Sequence, residues 1–252
     1  MQPTVSVVTV CRNSAGTIAA CLRSVATQSY HAIEHVVIDG ASADGTQALI
    51  EANLRDGGHY ISEPDRGIYD AMNKGWQRAT GDYVAFLNAD DHYATDDVIA
   101  QMAAAVARDD VDVVLGDVRF FRPGQQGRYV RRYRSGFFRP ALLRWGLMPA
   151  HPGMLMRREL IARLGGFRCD MKIAADFDLC VRVFHGARCS WRHLSLPVVD
   201  MATGGASTRD VSAKLTINRE VVQACRDNGL YSNRLMVMGK YPFKLLELVN
   251  VG

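Results

Sequence analysis

The chain has 252 residues, 48% of them hydrophobic and 22% charged, with a formal net charge of +4. This is ordinary globular composition, which excludes a disordered chain and allows one large domain or a domain with a helical appendage. So mild a positive balance gives no bulk-charge reason to expect nucleic-acid binding.

The cysteines (Cys11, Cys21, Cys169, Cys180, Cys189, Cys225) form no CxxC pair and accompany no paired-His spacing. Reduced thiols are therefore expected, rather than a zinc site or a disulfide framework. Met1 leads directly into TVSVVTV without a basic-then-apolar signal segment. No apolar run approaches the roughly 18 residues that a spanning helix needs. A cytoplasmic protein is the expectation, soluble or held peripherally on the inner face of the membrane.

In chain order, the β-branched run Val5 to Val10 predicts a strand that breaks at Cys11-Arg12-Asn13-Ser14. Ile18, Cys21, Leu22 and Val25 then recur at helical spacing. His35 to Ile38 predicts a second buried strand, ending at Asp39-Gly40-Ala41-Ser42, with a helix to about Asn53 behind it. A short strand at Tyr60-Ile61 leads into SEPDRGIYDAMNKG (62 to 75), which turns from loop to helix near Tyr69. Tyr83 to Leu87 is a short apolar run bounded by turn residues, the pattern of a strand buried on both faces. A helix from about Asp96 to Ala107 and a strand from Val111 to Leu115 follow. This alternation predicts βαβ units and a mostly parallel sheet, with three polar strand ends meeting on one edge.

The second half is less regular. Antiparallel strands are predicted over 117 to 134, around the PGQQG turn, with a loop from Trp145 to Pro152 and a strand from Gly153 to Arg157. Helices are predicted up to Leu164, over Asp176 to Phe184, and over 208 to 229 and 233 to 248.

The run from Tyr83 ends in Asn88, Ala89, Asp90 and Asp91. Such a cluster sits at the carboxyl end of a central strand, where open α/β sheets bind ligands. Adjacent carboxylates repel unless a cation lies between them, and a divalent metal holding a phosphate would supply one. The alternative is a solvated turn capping the next helix. The loop after the first strand, CRNSAG, contains only Gly16, so neither the dinucleotide fingerprint nor a P-loop is present. A nucleotide bound here would need its diphosphate neutralised in another way, and a metal on Asp90 would do that.

Four segments, VSVVTVCRNS (5 to 14), VVIDGASADGT (36 to 46), SEPDRGIYDAMNKG and ATGDYVAFLNADD (79 to 91), resemble the family 2 glycosyltransferases in order and spacing. AADFDLCVR (174 to 182), HPGMLMRREL (151 to 160) and GGF (165 to 167) resemble that family's base-bearing and acceptor-side segments. The resemblance implies a Rossmann-like α/β fold of the GT-A type, with a mostly parallel central sheet, flanking helices and a small antiparallel, acceptor-side portion. It implies a nucleotide-sugar-binding half over 1–116, an acceptor-binding and catalytic half of the same domain over 117–207, and a C-terminal helical extension over 208–252. The implied activity is inverting transfer from a nucleotide-diphosphate sugar to a glycan or lipid-linked saccharide, in cell-surface polysaccharide or glycolipid biosynthesis, assisted by Mn²⁺ or Mg²⁺.

Position by position, the resemblance implies that Thr9, Cys11 and Asn13 line the base and ribose pocket, partly through backbone. Asp39 would hydrogen-bond the nucleobase, and Asp65 and Arg66 would flank base and diphosphate. Asn88 stands where the family's DxD motif has its first aspartate. It can contact ribose but brings no charge, so with Ala89 and Asp90 completing the motif the metal falls to Asp90. Asp91 is a supporting or acceptor-side candidate.

Inverting displacement needs one carboxylate to take the acceptor's proton and a Lewis acid to stabilise the leaving diphosphate. Asp176 is the expected base, although it could be a helix cap, and Asp178 competes from a different helix face. His151 is either an acceptor or phosphate contact or a structural histidine. No later histidine (His185 or His193) has a context that makes it a metal ligand, and the GGAS segment (204 to 207) is the alternative occupant of that region. Residues 128 to 145 interleave arginines with aromatics. They read either as a solvated basic loop or as a membrane-surface contact, with Phe137, Phe138 and Trp145 entering the interface and KYPFKLLELV as a second contact. A non-catalytic nucleotide-sugar-binding module of the same fold is the alternative reading. A nucleotidyltransferase is disfavoured because it would need a glycine-rich, Arg- and Lys-bearing loop after the first strand, which this chain lacks.

Overall fold

The structure, a computed structural model, describes residues 2–125, 127–204 and 211–241. The β-branched runs form strands where expected: β1 (Val5–Cys11), β2 (Ile33–Asp39), β3 (His59–Ser62) and β4 (Tyr83–Asn88). Between them lie α1 (Ile18–Ala26), α2 (Thr46–Asn53) and α3 (Ile68–Arg78), and beyond β4 come the short β5 (His92–Tyr93) and α4 (Val98–Asp109). The second half supplies β6 (Val113–Phe121), β7 (Tyr129–Tyr133), β8 (Met154–Arg157), α5 (Arg158–Leu164), α6 (Ala175–Val181), β9 (Trp191–Ala202), α7 (Val211–Asp227) and α8 (Arg234–Met238).

Among the described residues, one nine-stranded sheet runs β3-β2-β1-β4-β8-β6-β9-β5, with β7 added along β6. β3, β2, β1 and β4 are mutually parallel, whereas β8 is antiparallel to both β4 and β6. Inserting β8 in reverse leaves β6 and its parallel partner β9 pointing the same way as β4. The fold is thus α/β with a mostly parallel sheet, and the antiparallel strands lie in the second half as expected. Register aligns the ends that carry polar residues: Cys11 lies opposite Asp39, Asp39 opposite Ser62, and Val10 opposite Asn88.

Alternation along the strands sends side chains to two cores. Val8, Val10, Ile38, Val84 and Phe86 meet α3, α5, α6 and α7 on one face. Val5, Val7, Ala85 and Leu87 meet α1 and α4 on the other. Each fully buried aliphatic or Phe side chain here contributes about 1.5–3 kcal/mol. Gly75 lets α3 lie close on the sheet, since a Cβ there would run into Val8.

Some boundaries differ from the sequence reading. β6 begins and ends later than the Val111–Leu115 run, because it continues through the hairpin with β7. The helix bearing Asp176 is α-helical only to Val181 and then widens into a π-helical turn, Arg182–Gly186. There the Arg182 head reaches back to the carbonyls of Leu164 (2.6 Å) and Gly166 (2.7 Å). The expected loop from Trp145 to Pro152 follows a 3-10 turn at Pro140–Trp145 and runs into another at His151–Gly153. Of the expected C-terminal helix over 233 to 248, the part beyond Tyr241 lies outside the described residues, as do residues 205 to 207 of the GGAS segment. Among the described residues no helix is long and apolar enough to cross a membrane.

Candidate active site

Two backbone positions just past the strand ends shape the loops there. Asn13, after β1, has φ 50°, and Ala41, after β2, has φ 55°. Left-handed backbone at a non-glycine residue costs about 1–2 kcal/mol and gathers at ligand sites. The two turns brace each other: the Asn13 amide donates to Ser42 Oγ (2.7 Å), and Asn13 Oδ1 accepts from Ala43 N (3.0 Å). Asp65 lies directly on Gly40, where any Cβ would collide with its carboxylate, and it also accepts from Gly67 N (2.9 Å). The loop carrying Asp65 and Arg66 is thereby pinned over the ends of β1 and β2. Arg66 pairs with Asp70 at 2.9 Å on α3, yet 81% of its side chain is exposed, leaving it free to meet an anion.

Asp39 is fully buried at the end of β2. Its carboxylate accepts from Ser42 N (3.0 Å), Ser42 Oγ, Ser62 Oγ (2.6 Å) and the Cys11 thiol (3.5 Å). Burial alone would raise its pKa, but the bonds from Ser42 and Ser62 outweigh burial and hold it below the usual carboxylate range. A nucleobase seated here would reach Asp39 only by displacing one of those donors. Thr9 corrects the sequence reading: it is fully buried, its hydroxyl engaged with His35 Nε2 (2.9 Å), so no atom of Thr9 lines a pocket.

At the end of β4 the four-residue cluster divides its labour. Asp90 is exposed, and partial desolvation raises its pKa. Asp91 is buried behind it, accepting from Ala202 N (3.1 Å) and Asn88 Nδ2 (3.2 Å). Burial and the neighbouring Asp90 charge push its pKa well up. Asp91 therefore ties the end of β4 to the end of β9. Ala89, between Asn88 and Asp90 in the chain, is buried. Asn88 Oδ1 is buried with no hydrogen-bond partner, an acceptor left open at the strand end.

Asp176 sits at the start of α6, on the same sheet face as α3. It accepts from Phe177 N (2.8 Å) and lies 3.4 Å from Tyr69 Oη, which donates to Ile173 O at 2.5 Å. Desolvation raises its pKa to about 6, against the lowering effect of these bonds. Tyr69 stacks on Phe167 (5.8 Å), and Phe167 meets the Phe86 edge (5.0 Å) two residues before Asn88. An aromatic bridge thus connects the base candidate to the acidic strand end. Asp178 is fully buried and paired with Arg182 (2.8 Å) and Asn228 (3.1 Å), whereas Asp176 has no ion-pair partner among the described residues.

His151 is enclosed as well. Its ring is buried against Phe86 (5.3 Å) and Phe167 (5.4 Å), and burial depresses its pKa to about 4, so it carries no charge to offer a phosphate. His193 is bound to Asp117 (2.8 Å) rather than to the acidic cluster. In the basic segment, Arg132 pairs with Asp117 (2.8 Å) and Arg131 lies over the Phe120 ring (4.0 Å). Phe138 is in the core, correcting the expectation that it reaches an interface, whereas Phe137 (40%) and Trp145 (39%) are exposed. Two groups near the base escaped the sequence reading. Tyr69 lies inside a quoted motif, and its place at the first turn of α3 was the available signal. Glu220 on α7 has no local signal at all.

Comparison with known proteins bears on this geometry. A Mycobacterium tuberculosis protein described as an uncharacterized glycosyltransferase is 32% identical over 197 residues, 71% of this chain and 68% of the relative. A PGL/p-HBAD biosynthesis glycosyltransferase of Mycobacterium bovis is 28% identical over 221 residues, 86% of this chain and 84% of the relative. Among solved structures, S. aureus TarS 1-349 with UDP superposes at TM-score 0.64 and 19% identity, covering 88% of this chain and 65% of that one. A Pyrobaculum calidifontis mannosyltransferase with GDP-Man and Mn²⁺ superposes at TM-score 0.62 and 20% identity, covering 99% and 74%. At these identities the likeness establishes the fold, GT-A, and nothing finer. The sequence profile of Glycosyl transferase family 2 matches residues 6–165. With more than half its length inside that profile, the chain belongs to glycosyl transferase family 2.

Proposed function

We propose that this glycosyltransferase moves a sugar, with inversion, from a nucleoside-diphosphate sugar to a hydroxyl of a glycan or lipid-linked saccharide. The observation that carries the reading is the Asp176 carboxyl, raised to about 6 and tied through Tyr69, Phe167 and Phe86 to the strand that ends in Asn88–Asp90. A general base serves best when its pKa lies near the working pH. The acceptor oxygen forms its bond to the anomeric carbon as the bond to the diphosphate oxygen breaks, and Asp176 takes the acceptor proton.

On the donor side, Cys11, Asn13 and Asp39 surround the base and ribose, with Asp39 exchanging one serine hydroxyl for the nucleobase. Asn88 Oδ1 takes a ribose hydroxyl as its missing partner, and Asp65 and Arg66 flank the diphosphate. UDP in the TarS complex and GDP-Man in the mannosyltransferase complex support a nucleotide-sugar donor. Residues 1–116 then serve the donor and 117–207 the acceptor, with the helices from 208 onward as an extension of the same domain.

Among the described residues no three side chains gather into a self-sufficient metal site. One exposed carboxylate, Asp90, beside an unpartnered acceptor suits Mg²⁺ or Mn²⁺, which are often held by one or two carboxylates plus substrate phosphates. When bound, the metal neutralises charge on the departing diphosphate. The exposed Phe137 and Trp145 beside basic residues suit a peripheral membrane contact, in keeping with a lipid-linked acceptor.

Donor hydrolysis and transfer measured over UDP and GDP sugars, with EDTA, Mn²⁺ or Mg²⁺, test the reading. Metal-stimulated turnover of a restricted donor set is expected. Flat background turnover with no metal effect would replace it with a non-catalytic binding module.

A further inference from the structure

Three successive backbone amides point at a single carboxylate. Lys172 N lies 2.8 Å from Glu220 Oε1, and Ile173 N and Ala174 N lie 3.0 and 2.9 Å from its Oε2. Consecutive N–H groups of this kind form a concavity that holds an anion, and here the anion comes from α7. The turn so gripped is the one that leads into α6 and Asp176. Tyr69 holds it from the opposite side through the Ile173 carbonyl.

The same helix reaches the acceptor-side segment twice more. Asp227 takes Arg168 at 2.5 Å, and Asn228, just past the helix end, donates to Asp178 at 3.1 Å. Positions 220 and 227 are seven apart, two turns along one helix face. Val221, Ala224 and Cys225, between them, are buried in the same core as Phe177, Leu179 and Cys180. The family profile ends at residue 165, so it covers neither side of this contact.

We propose that Glu220 is a positioning residue for the transfer reaction: its carboxylate fixes the 172–174 turn and so sets the aim of Asp176, which makes α7 part of the catalytic apparatus. The inference rests on the reading of Asp176 as base. A displacement of about 1 Å at a reacting group can cost about 10²-fold in rate, so a turn held by three bonds to one side chain is a sensitive support. The groups that face Asp176 are Tyr69 from α3, Cys180 from its own helix and Glu220 from α7.

The test compares Glu220→Ala and Glu220→Gln with the unaltered full chain. Glu220→Ala is expected to lower kcat by about 10²-fold while donor KM stays within about threefold. Glu220→Gln keeps one acceptor oxygen and should retain more turnover. Because it removes a negative charge beside Asp176, its acid limb of kcat should move to lower pH, which loss of packing alone would not cause. Amide hydrogen exchange should speed up at residues 172–174 in both variants. Unchanged kcat, a donor KM that rises in step with the fall in kcat, or an unmoved acid limb in Glu220→Gln would each overturn the proposal. If Glu220→Ala does not fold, the Gln variant decides. Asp176→Asn is measured in parallel: full turnover there would remove the base reading, while exchange at 172–174 reports on the clamp independently.

Discussion

The two halves of the site hold their carboxylates by different means. At the end of β2, Asp39 is satisfied largely by its own neighbourhood: Ser42 is three residues away, and Ser62 and Cys11 arrive by strand register. At the start of α6, Asp176 depends on Tyr69, 107 residues earlier, and its turn depends on Glu220, 46 residues beyond Ala174. The electrostatic outcomes are opposite. Hydrogen bonds overcome burial at Asp39 and keep it a firm anion, whereas burial prevails at Asp176 and brings its pKa to about 6. The contrast suits the two proposed roles: a recognition group needs a fixed charge and a proton acceptor an adjustable one.

The largest break in this contrast is Asp176→Asn. It should cost roughly 10²-fold or more in kcat and leave donor affinity by calorimetry unchanged, and equal turnover would refute the assignment. In the unaltered protein, kcat should fall as pH drops through about 6, since the base works only when deprotonated. Stability has its own sign. A carboxyl whose folded pKa is raised contributes stability below its unfolded value of 3.8, and that contribution is lost as pH rises through about 6. Asp176→Asn should therefore raise Tm at pH 7.5, with the gain shrinking as pH falls from 6 toward 4.

A smaller effect is expected on the other half. Asp39→Asn should weaken donor binding by about tenfold, in line with about 1.5–3 kcal/mol for a hydrogen bond to a charged group. Turnover at saturating donor should stay close to normal, so a fall in kcat without a change in donor Kd would erase the distinction between the halves. The smallest effect belongs to His151→Phe. With the ring stacked on Phe86 and edge-on to Phe167, this aromatic-for-aromatic change should leave turnover intact and cost only the roughly 1–3 kcal/mol of added core volume by chemical denaturation. A large loss of activity would return His151 to the reacting centre.

Much of the donor half was legible before any coordinates. Val5 to Val10, His35 to Ile38 and Tyr83 to Leu87 are buried strands because β-branched and apolar runs suit a sheet covered on both faces. The polar residues that stop each run lie at the carboxyl ends, and parallel pairing brings three such ends to one edge. Asp90 could be separated from Asn88 by charge alone. Orientation was not legible. Thr9 sits among apparent pocket residues and yet points into the core, and Asp91 faces inward while Asp90 faces out.

The chain by itself determined the strand–helix alternation, the acidic strand end and the match of residues 6–165 to glycosyl transferase family 2. These follow from patterns only a few residues long. Tertiary structure alone distinguishes Asp176 from Asp178, which stand two positions apart on one short helix with the same chemistry. Arg182 and Asn228 neutralise and bury Asp178, while Asp176 keeps an unpaired carboxyl beside Tyr69. It also decided that a carboxylate on α7 holds the turn before Asp176. Desolvation and pairing depend on which distant segments pack together, and no local pattern encodes that.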